Sequence, residues 1–162
     1  MGSLVVWWLV LEGLGLITLP LTFRLFSARA DHGYGFAKIV ALLVISYISW
    51  LLTHLGILGF HLSLELTLTA FVLLNAWLAW HSRTALGEWL AGPGRRAILL
   101  HDAFWTAGFL FFAWQRSLGP EIFGAEKFMD FAFFNTLSRT DVLPPQDPWM
   151  AGKTINYYYW GY

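Results

Sequence analysis

Residues 36–60 read FAKIVALLVISYISWLLTHLGILGF, and this stretch decides the fold. It contains no Asp, Glu or Arg, and its one lysine, Lys38, stands at its start. A bilayer core takes about 20 mainly apolar residues of helix at about 1.5 Å of rise each, and a helix satisfies its own backbone polar groups there. The stretch therefore reads as a membrane crossing from about Phe36 to Phe60. Three more runs share its character: Leu4 to about Phe26, about Leu62 to Trp80, and about Ala97 to Trp114. These predict an all-α, multi-pass fold with four transmembrane helices. The first run does not read as a cleaved signal peptide. Met1-Gly2-Ser3 supplies no basic residue, and the apolar core contains Glu12 and outruns the ~7–15 residues of a signal sequence.

The composition agrees. Of 162 residues, 57% are hydrophobic, 19% aromatic and only 12% charged, against about 25% charged in globular chains, so the main solvent is a lipid bilayer. Ten Lys and Arg balance ten Asp and Glu, and this neutrality argues against a nucleic-acid partner. The absence of cysteine rules out a disulfide scaffold, Cys-ligated zinc or iron–sulfur sites, and thiol catalysis.

Basic residues orient the crossings. Arg24, Arg29 and Lys38 lie between the first two helices, and Arg83, Arg95 and Arg96 between the third and fourth. The positive-inside rule makes those loops cytoplasmic. The N-terminus and the segment 115–155 then face the extracytoplasmic side of the cell membrane.

After Trp114 the character of the chain changes. Glu121, Glu126, Asp130, Asp141 and Asp147 cluster here with Pro120, Pro144, Pro145 and Pro148. From about 124 to 139, Phe128, Phe131, Phe134 and Leu137 recur every three residues, which predicts an amphipathic helix along the membrane interface. Glu126 and Asp130, four apart, share one face of it. The chain closes on Ile155-Asn156-Tyr157-Tyr158-Tyr159-Trp160-Gly161-Tyr162. An aromatic belt of this kind marks the mouth of a further crossing, so residues 156–162 read as the start of a fifth helix and the chain as the N-terminal part of a longer protein.

Three motifs carry a resemblance. Ala125-Glu126-Lys127-Phe128-Met129-Asp130-Phe131-Ala132-Phe133, Pro144-Pro145-Gln146-Asp147-Pro148-Trp149-Met150-Ala151-Gly152 and Ile155-Asn156-Tyr157-Tyr158-Tyr159-Trp160-Gly161 resemble the signature of the YYY membrane protein family. Glu12-Gly13 with Pro20, and Gly35 with Lys38, are similar to its N-terminal pattern. The order of outer acid, interfacial helix, Pro-rich strand and aromatic entry is similar, more distantly, to polytopic GT-C glycosyltransferases that use lipid-linked sugars. That likeness implies Glu126 as general base or metal-binding carboxylate, with Asp130 second. A carboxylate would take the acceptor proton, and Lys127 or Arg139 would stabilise the departing polyprenyl phosphate. Asp147, Trp149, Asn156, Tyr157, Tyr158 and Tyr159 become candidate sugar-binding groups. A divalent metal is compatible with these residues and not required by them. The implied partners are the bilayer, a polyprenyl-phosphate-linked sugar, and the rest of the same chain or a partner membrane protein.

Each signal also has a plainer reading. Glu126 and Asp130 fit a solvated helix face, and the aromatics fit interfacial anchors. Glu12, deep in the first span, requires a partner or a cavity, and counting inward from the outer ends places His54 at its depth. An intramembrane Glu12–His54 contact is expected, as a structural clasp or a proton relay. His61 with Glu65, and His81 with His101, lack convincing metal spacing. Beside the transferase stand two rivals: a non-enzymatic scaffold or assembly module, and a transporter centred on Glu12 and His54.

Overall fold

A computed structural model of the protein describes residues 2–121, 124, 126–156 and 159–161. Six α-helices run in order: α1 (Gly2–Leu25), α2 (Ala37–His54), α3 (Phe60–His81), α4 (Arg83–Trp89), α5 (Arg95–Ser117) and α6 (Lys127–Leu137), with 3-10 turns at Tyr34–Phe36 and Tyr159–Gly161. No strand occurs among the described residues, and one isolated antiparallel bridge joins Gln146 to Thr154. Among the described residues four segments are long and apolar enough to cross a membrane: Gly2–Leu25, Tyr34–His54, Phe60–His81 and Arg83–Ser117. The fourth begins earlier than the expected Ala97. Gly92-Pro93-Gly94 forms a kink between α4 and α5, with Gly92 at the non-helical φ −110°, ψ −120°. The Trp89 indole occupies the space that a side chain at Gly94 would need. The helix expected over 124–139 runs from Lys127 to Leu137, with Glu126 in the N-cap position and Ser138 closing the other end.

The chain divides into two compact units. The first is Met1–Val44 with Thr69–Gly119, and the second is Ile45–Leu68 with Pro120–Tyr162.

In the first unit the buried face of α1 is Glu12, Gly15, Thr18, Leu19, Pro20 and Thr22, mostly small or polar at helical spacing, while Leu4, Val5, Val6, Leu9 and Leu16 are exposed. This is the pattern of a helix in lipid, where bulky apolar side chains face acyl tails and small residues allow close helix contact. Thr18 and Thr22 donate to the carbonyls of Leu14 and Leu19, at 2.7 and 3.1 Å, so their buried hydroxyls are satisfied within the helix. Pro20 has no N–H and interrupts the ladder. At that point Asn75 of α3, 2% exposed, accepts from the Leu21 amide at 3.3 Å and donates to the Phe71 carbonyl at 2.9 Å. Trp8 of α1 donates to Thr106 of α5 at 3.0 Å, and α5 contributes no buried residue to the described structure.

The 26–33 loop folds back along α1. His32 stacks on Phe23 with ring centroids 4.2 Å apart, and its Nδ1 lies 3.2 Å from the Phe23 carbonyl. Trp89 packs edge-on against both rings and donates to the Ala30 carbonyl at 3.3 Å. Gly33 is left-handed at φ 71°, and a Cβ there would overlap the Phe26 ring. Tyr34 and Ala37 then pack with Leu19 and Trp89. The second crossing therefore starts beside the middle of α1 rather than level with its end.

In the second unit the C-terminal part of α2 meets the start of α3 through hydroxyls. Thr53 donates to the Ser49 carbonyl at 2.9 Å and lies 3.0 Å from the Ser63 hydroxyl, and all three residues are buried. The segment after α6 returns as a clip, with Asp147 N–H donating to Lys153 and Ile155 N–H to Pro145, at 2.8 and 2.9 Å.

Candidate functional site

The first turn of α3 lacks a local cap, since Gly59 has no side chain to offer the free amides. Asp141 supplies one from outside the helix. Its backbone carbonyl accepts from Phe60 at 3.0 Å, and its carboxylate accepts from the His61 amide at 2.9 Å and lies 3.2 Å from His61 Nδ1. The His61 backbone amide, and then the His61 ring, hold the Asp141 carboxyl below the usual carboxylate range.

Beside this cap opens a cavity of about 390 Å³, lined mostly by apolar side chains. Trp50 of α2, Phe60 and Leu64 of α3, Phe134 and Leu137 of α6, and Trp160 supply its apolar walls. Ser46, Ser49, Ser138, His61 and Tyr159 supply its polar groups. The Tyr159 hydroxyl lies 3.3 Å from His54 Nδ1, and His54 stacks on Trp50 with centroids 5.0 Å apart. An apolar pocket with a few polar groups is the ordinary form of a small-molecule site.

Of the sequence-derived candidates, Tyr159 lines this cavity. Glu126 is exposed at the α6 N-cap position and makes no side-chain capping bond. Asp130 is half-buried one turn further on, its amide bonded to the Glu126 carbonyl at 2.9 Å. Lys127 and Arg139 are exposed near the two ends of α6. Asp147 accepts from the Trp149 amide at 2.8 Å, and Trp149 sets its edge against Phe128, centroids 5.8 Å apart. Asn156 is exposed, while Tyr157 and Tyr158 lie outside the described residues. Among the described residues no three His, Asp or Glu side chains gather as a metal site.

Glu12 and His54, expected as an intramembrane pair, each take other partners. His54 has Tyr159 and Trp50. Glu12 pairs instead with Lys38, Oε2 to Nζ at 2.8 Å, and Lys38 bridges onward to Asp102 Oδ1 of α5 at 2.7 Å. The Tyr34 hydroxyl donates to the same Asp102 carboxylate, 3.0 and 2.9 Å from its two oxygens. Depth counting missed this because it started each crossing at the same plane, whereas the 26–33 loop carries Lys38 back up to Gly15. A Cβ on Gly15 would stand 2.9 Å from Lys38 Cγ, so glycine there leaves room for the lysine stem. At the loop, Asp31 pairs with Arg29 at 3.0 Å and His101 at 3.3 Å. Partial burial pushes its carboxyl up, but the Gly33 amide and the Arg29 guanidinium outweigh that and hold it below the usual range.

Sequence reasoning also missed Asn75 and Asp141. Asn75 had a signal, an amide within an apolar span opposite a helix containing proline. Asp141 had none, because its pairing with His61 spans 80 residues.

No curated protein and no solved structure matches the chain. From residue 44 to 162, well over half its length, it matches the family described as Uncharacterized membrane protein (DUF2298). With four spanning helices, polar contacts between them and this match, the protein is a multi-pass membrane protein that belongs to the DUF2298 family.

Proposed function

We propose that this chain forms part of a membrane glycosyltransferase that draws on a sugar carried by a polyprenyl phosphate. The observation that carries the reading is the apolar cavity walled by Trp50, Leu64, Phe134 and Trp160, with its serines and Tyr159. A pocket of that volume and lining suits an isoprenoid segment whose polar head stays at the interface. One of its walls, α6, also bears Asp130 and has Glu126 in its N-cap position. In this reading Glu126 takes the acceptor proton, Asp130 supports it, and Lys127 and Arg139 attract the leaving phosphate. Asp147, Trp149, Asn156 and Tyr157 to Tyr159 contact the sugar. The N-terminus and residues 115–155 face the extracytoplasmic side, as the basic loops direct.

The test is transfer from radiolabelled polyprenyl-phosphate sugars by the native protein in its own membranes. Glu126→Gln is expected to lower the rate by about 10²–10⁴-fold, the usual share of a general base, without lowering membrane abundance. Unchanged transfer removes Glu126 from the role. Absence of transfer from every polyprenyl-phosphate sugar by the unaltered protein overturns the reading. A second reading, a scaffold that assembles membrane partners, is favoured by α5, where Phe104, Phe111, Phe112 and Trp114 are all more than half exposed. Loss of a co-purifying membrane protein after substitution of these residues, with transfer absent, selects it.

A further inference from the structure

We propose that the Glu12–Lys38–Asp102–Tyr34 cluster is an intramembrane proton-binding site, with one exchangeable proton carried on the Glu12 carboxyl. The cluster contains two carboxyl groups and one ammonium. Lys38 Nζ bridges them, 2.8 Å from Glu12 Oε2 and 2.7 Å from Asp102 Oδ1. With both carboxyls ionised it carries one net negative charge among spanning helices, where an unbalanced charge is strongly disfavoured. One added proton makes it neutral.

The donors decide which carboxyl takes that proton. Asp102 accepts from Lys38 and from the Tyr34 hydroxyl, and its side chain is 26% exposed. Among the described residues Glu12 accepts from Lys38 at Oε2, and its side chain is 11% exposed. Glu12 as a residue is 9% exposed, and its Oε1 is fully buried with no hydrogen-bond partner among the described residues. A lone buried carboxylate oxygen is the costly form of this group. Protonation at Oε1 removes its charge and leaves Oε2 free to accept from Lys38.

The surrounding groups offer Glu12 no second cation. On α2 and the turn before it stand Lys38 and Tyr34. On α5, Asp102 belongs to the cluster, and His101 is directed to Asp31. On the loop, Arg29 is held by Asp31. On α1 itself, Arg24 bonds Ser82 at 2.9 Å. The rings of Tyr34 and Trp105 lie 5.6 and 5.5 Å from the ammonium, at cation–π distance. Proton uptake thus forms one O–H bond at Glu12 Oε1 at the expense of hydronium. A metal ion fits poorly, because the ammonium already occupies the space between the carboxyls.

The site is independent of the transferase reading and is tested without an activity. Infrared difference spectra of the native protein in lipid nanodiscs near neutral pH report the C=O band of a protonated carboxyl, identified by its shift in heavy water. The unaltered protein minus Glu12→Gln is expected to show one such band per chain. Asp102→Asn is expected to lose it, because Lys38 then balances an ionised Glu12. Lys38→Met is expected to show two. If Glu12→Gln does not accumulate, the comparison with Asp102→Asn decides. A band that survives in full in either Glu12→Gln or Asp102→Asn, or no band in the unaltered protein, overturns the proposal. So does a band that sodium or potassium removes at fixed pH, which would make the ligand a metal cation.

Discussion

Asn75→Leu tests how α1 accommodates a proline. Pro20 deletes one amide from the helix ladder, and the Asn75 carboxamide accepts from the next one, Leu21, at 3.3 Å. Leucine keeps the branched shape and the number of side-chain heavy atoms at this 2%-exposed position, with bulkier methyl groups, and removes both side-chain bonds. Interhelical hydrogen bonds in membranes average about 0.6 kcal/mol and reach about 1.7. The 3.3 Å separation is just beyond the usual ~2.7–3.2 Å of N–H···O bonds. The expected loss on this bond is therefore near the lower figure, rising toward about 1–3 kcal/mol where the Leu21 amide is left without a partner. Part of any loss belongs to the Phe71 bond, so the cycle with Pro20→Ala isolates the rest. Alanine restores the missing amide and closes the ladder, and Asn75→Leu should then cost less by about 0.6–1.7 kcal/mol. The assay is reversible unfolding in mixed micelles of all four proteins, with circular dichroism as the readout. A coupling below about 0.5 kcal/mol, the scatter of independent sites, would refute the idea that Asn75 serves the proline break.

Three other outcomes are expected. Acidification should loosen the start of α3. Asp141 has a lowered folded pKa, so its cap is at full strength above the ordinary aspartate range and is lost as pH falls through the lowered value. Protection of the His61 amide, its exchange rate relative to the intrinsic rate at the same pH, should fall in that acid window and be low at all pH in Asp141→Ala; protection indifferent to both changes contradicts the cap. Gly33→Ala and Gly56→Ala both place a side chain at positive φ, 71° and 68°, but the new Cβ overlaps Phe26 at Gly33 and meets nothing within 4 Å at Gly56. Thermal unfolding should show about 1–2 kcal/mol of left-handed strain at both positions, and a larger loss at Gly33 alone. Ser63, fully buried at the α2–α3 contact, should accept Ala with little effect, while Leu costs about 1–3 kcal/mol by forcing the helices apart, as measured by unfolding in micelles.

The four crossings were legible because each requires only length and apolar content, properties of a contiguous stretch. The approximate place of α6 was legible from three-residue phenylalanine spacing, although its ends at Lys127 and Leu137 fall inside the expected range. That Glu12 needs a partner was also legible, since a carboxylate in a span cannot face lipid. Which partner was not. The choice between His54 and Lys38 depends on where α2 starts relative to α1, and that is set by His32, Gly33 and Trp89 packing on Phe23 and Phe26, contacts that no periodicity announces. His54 and Tyr159 were each singled out for separate reasons, and their meeting at 3.3 Å requires a fold-back over 105 residues. The cavity has the same origin, because its walls come from α2, α3, α6 and the aromatic end, and each is unremarkable alone.

The Asp141 cap has a consequence for biosynthesis. The amides at the start of α3 find their acceptor 80 residues later in the chain. At translation rates of about 5–20 residues per second, those 80 residues take roughly 4–16 s to make. During that interval α3 and α5 can be synthesised and handed to the insertion machinery while Phe60 and His61 remain hydrated by water or headgroups. The start of α3 is thus uncapped until residue 141 is made.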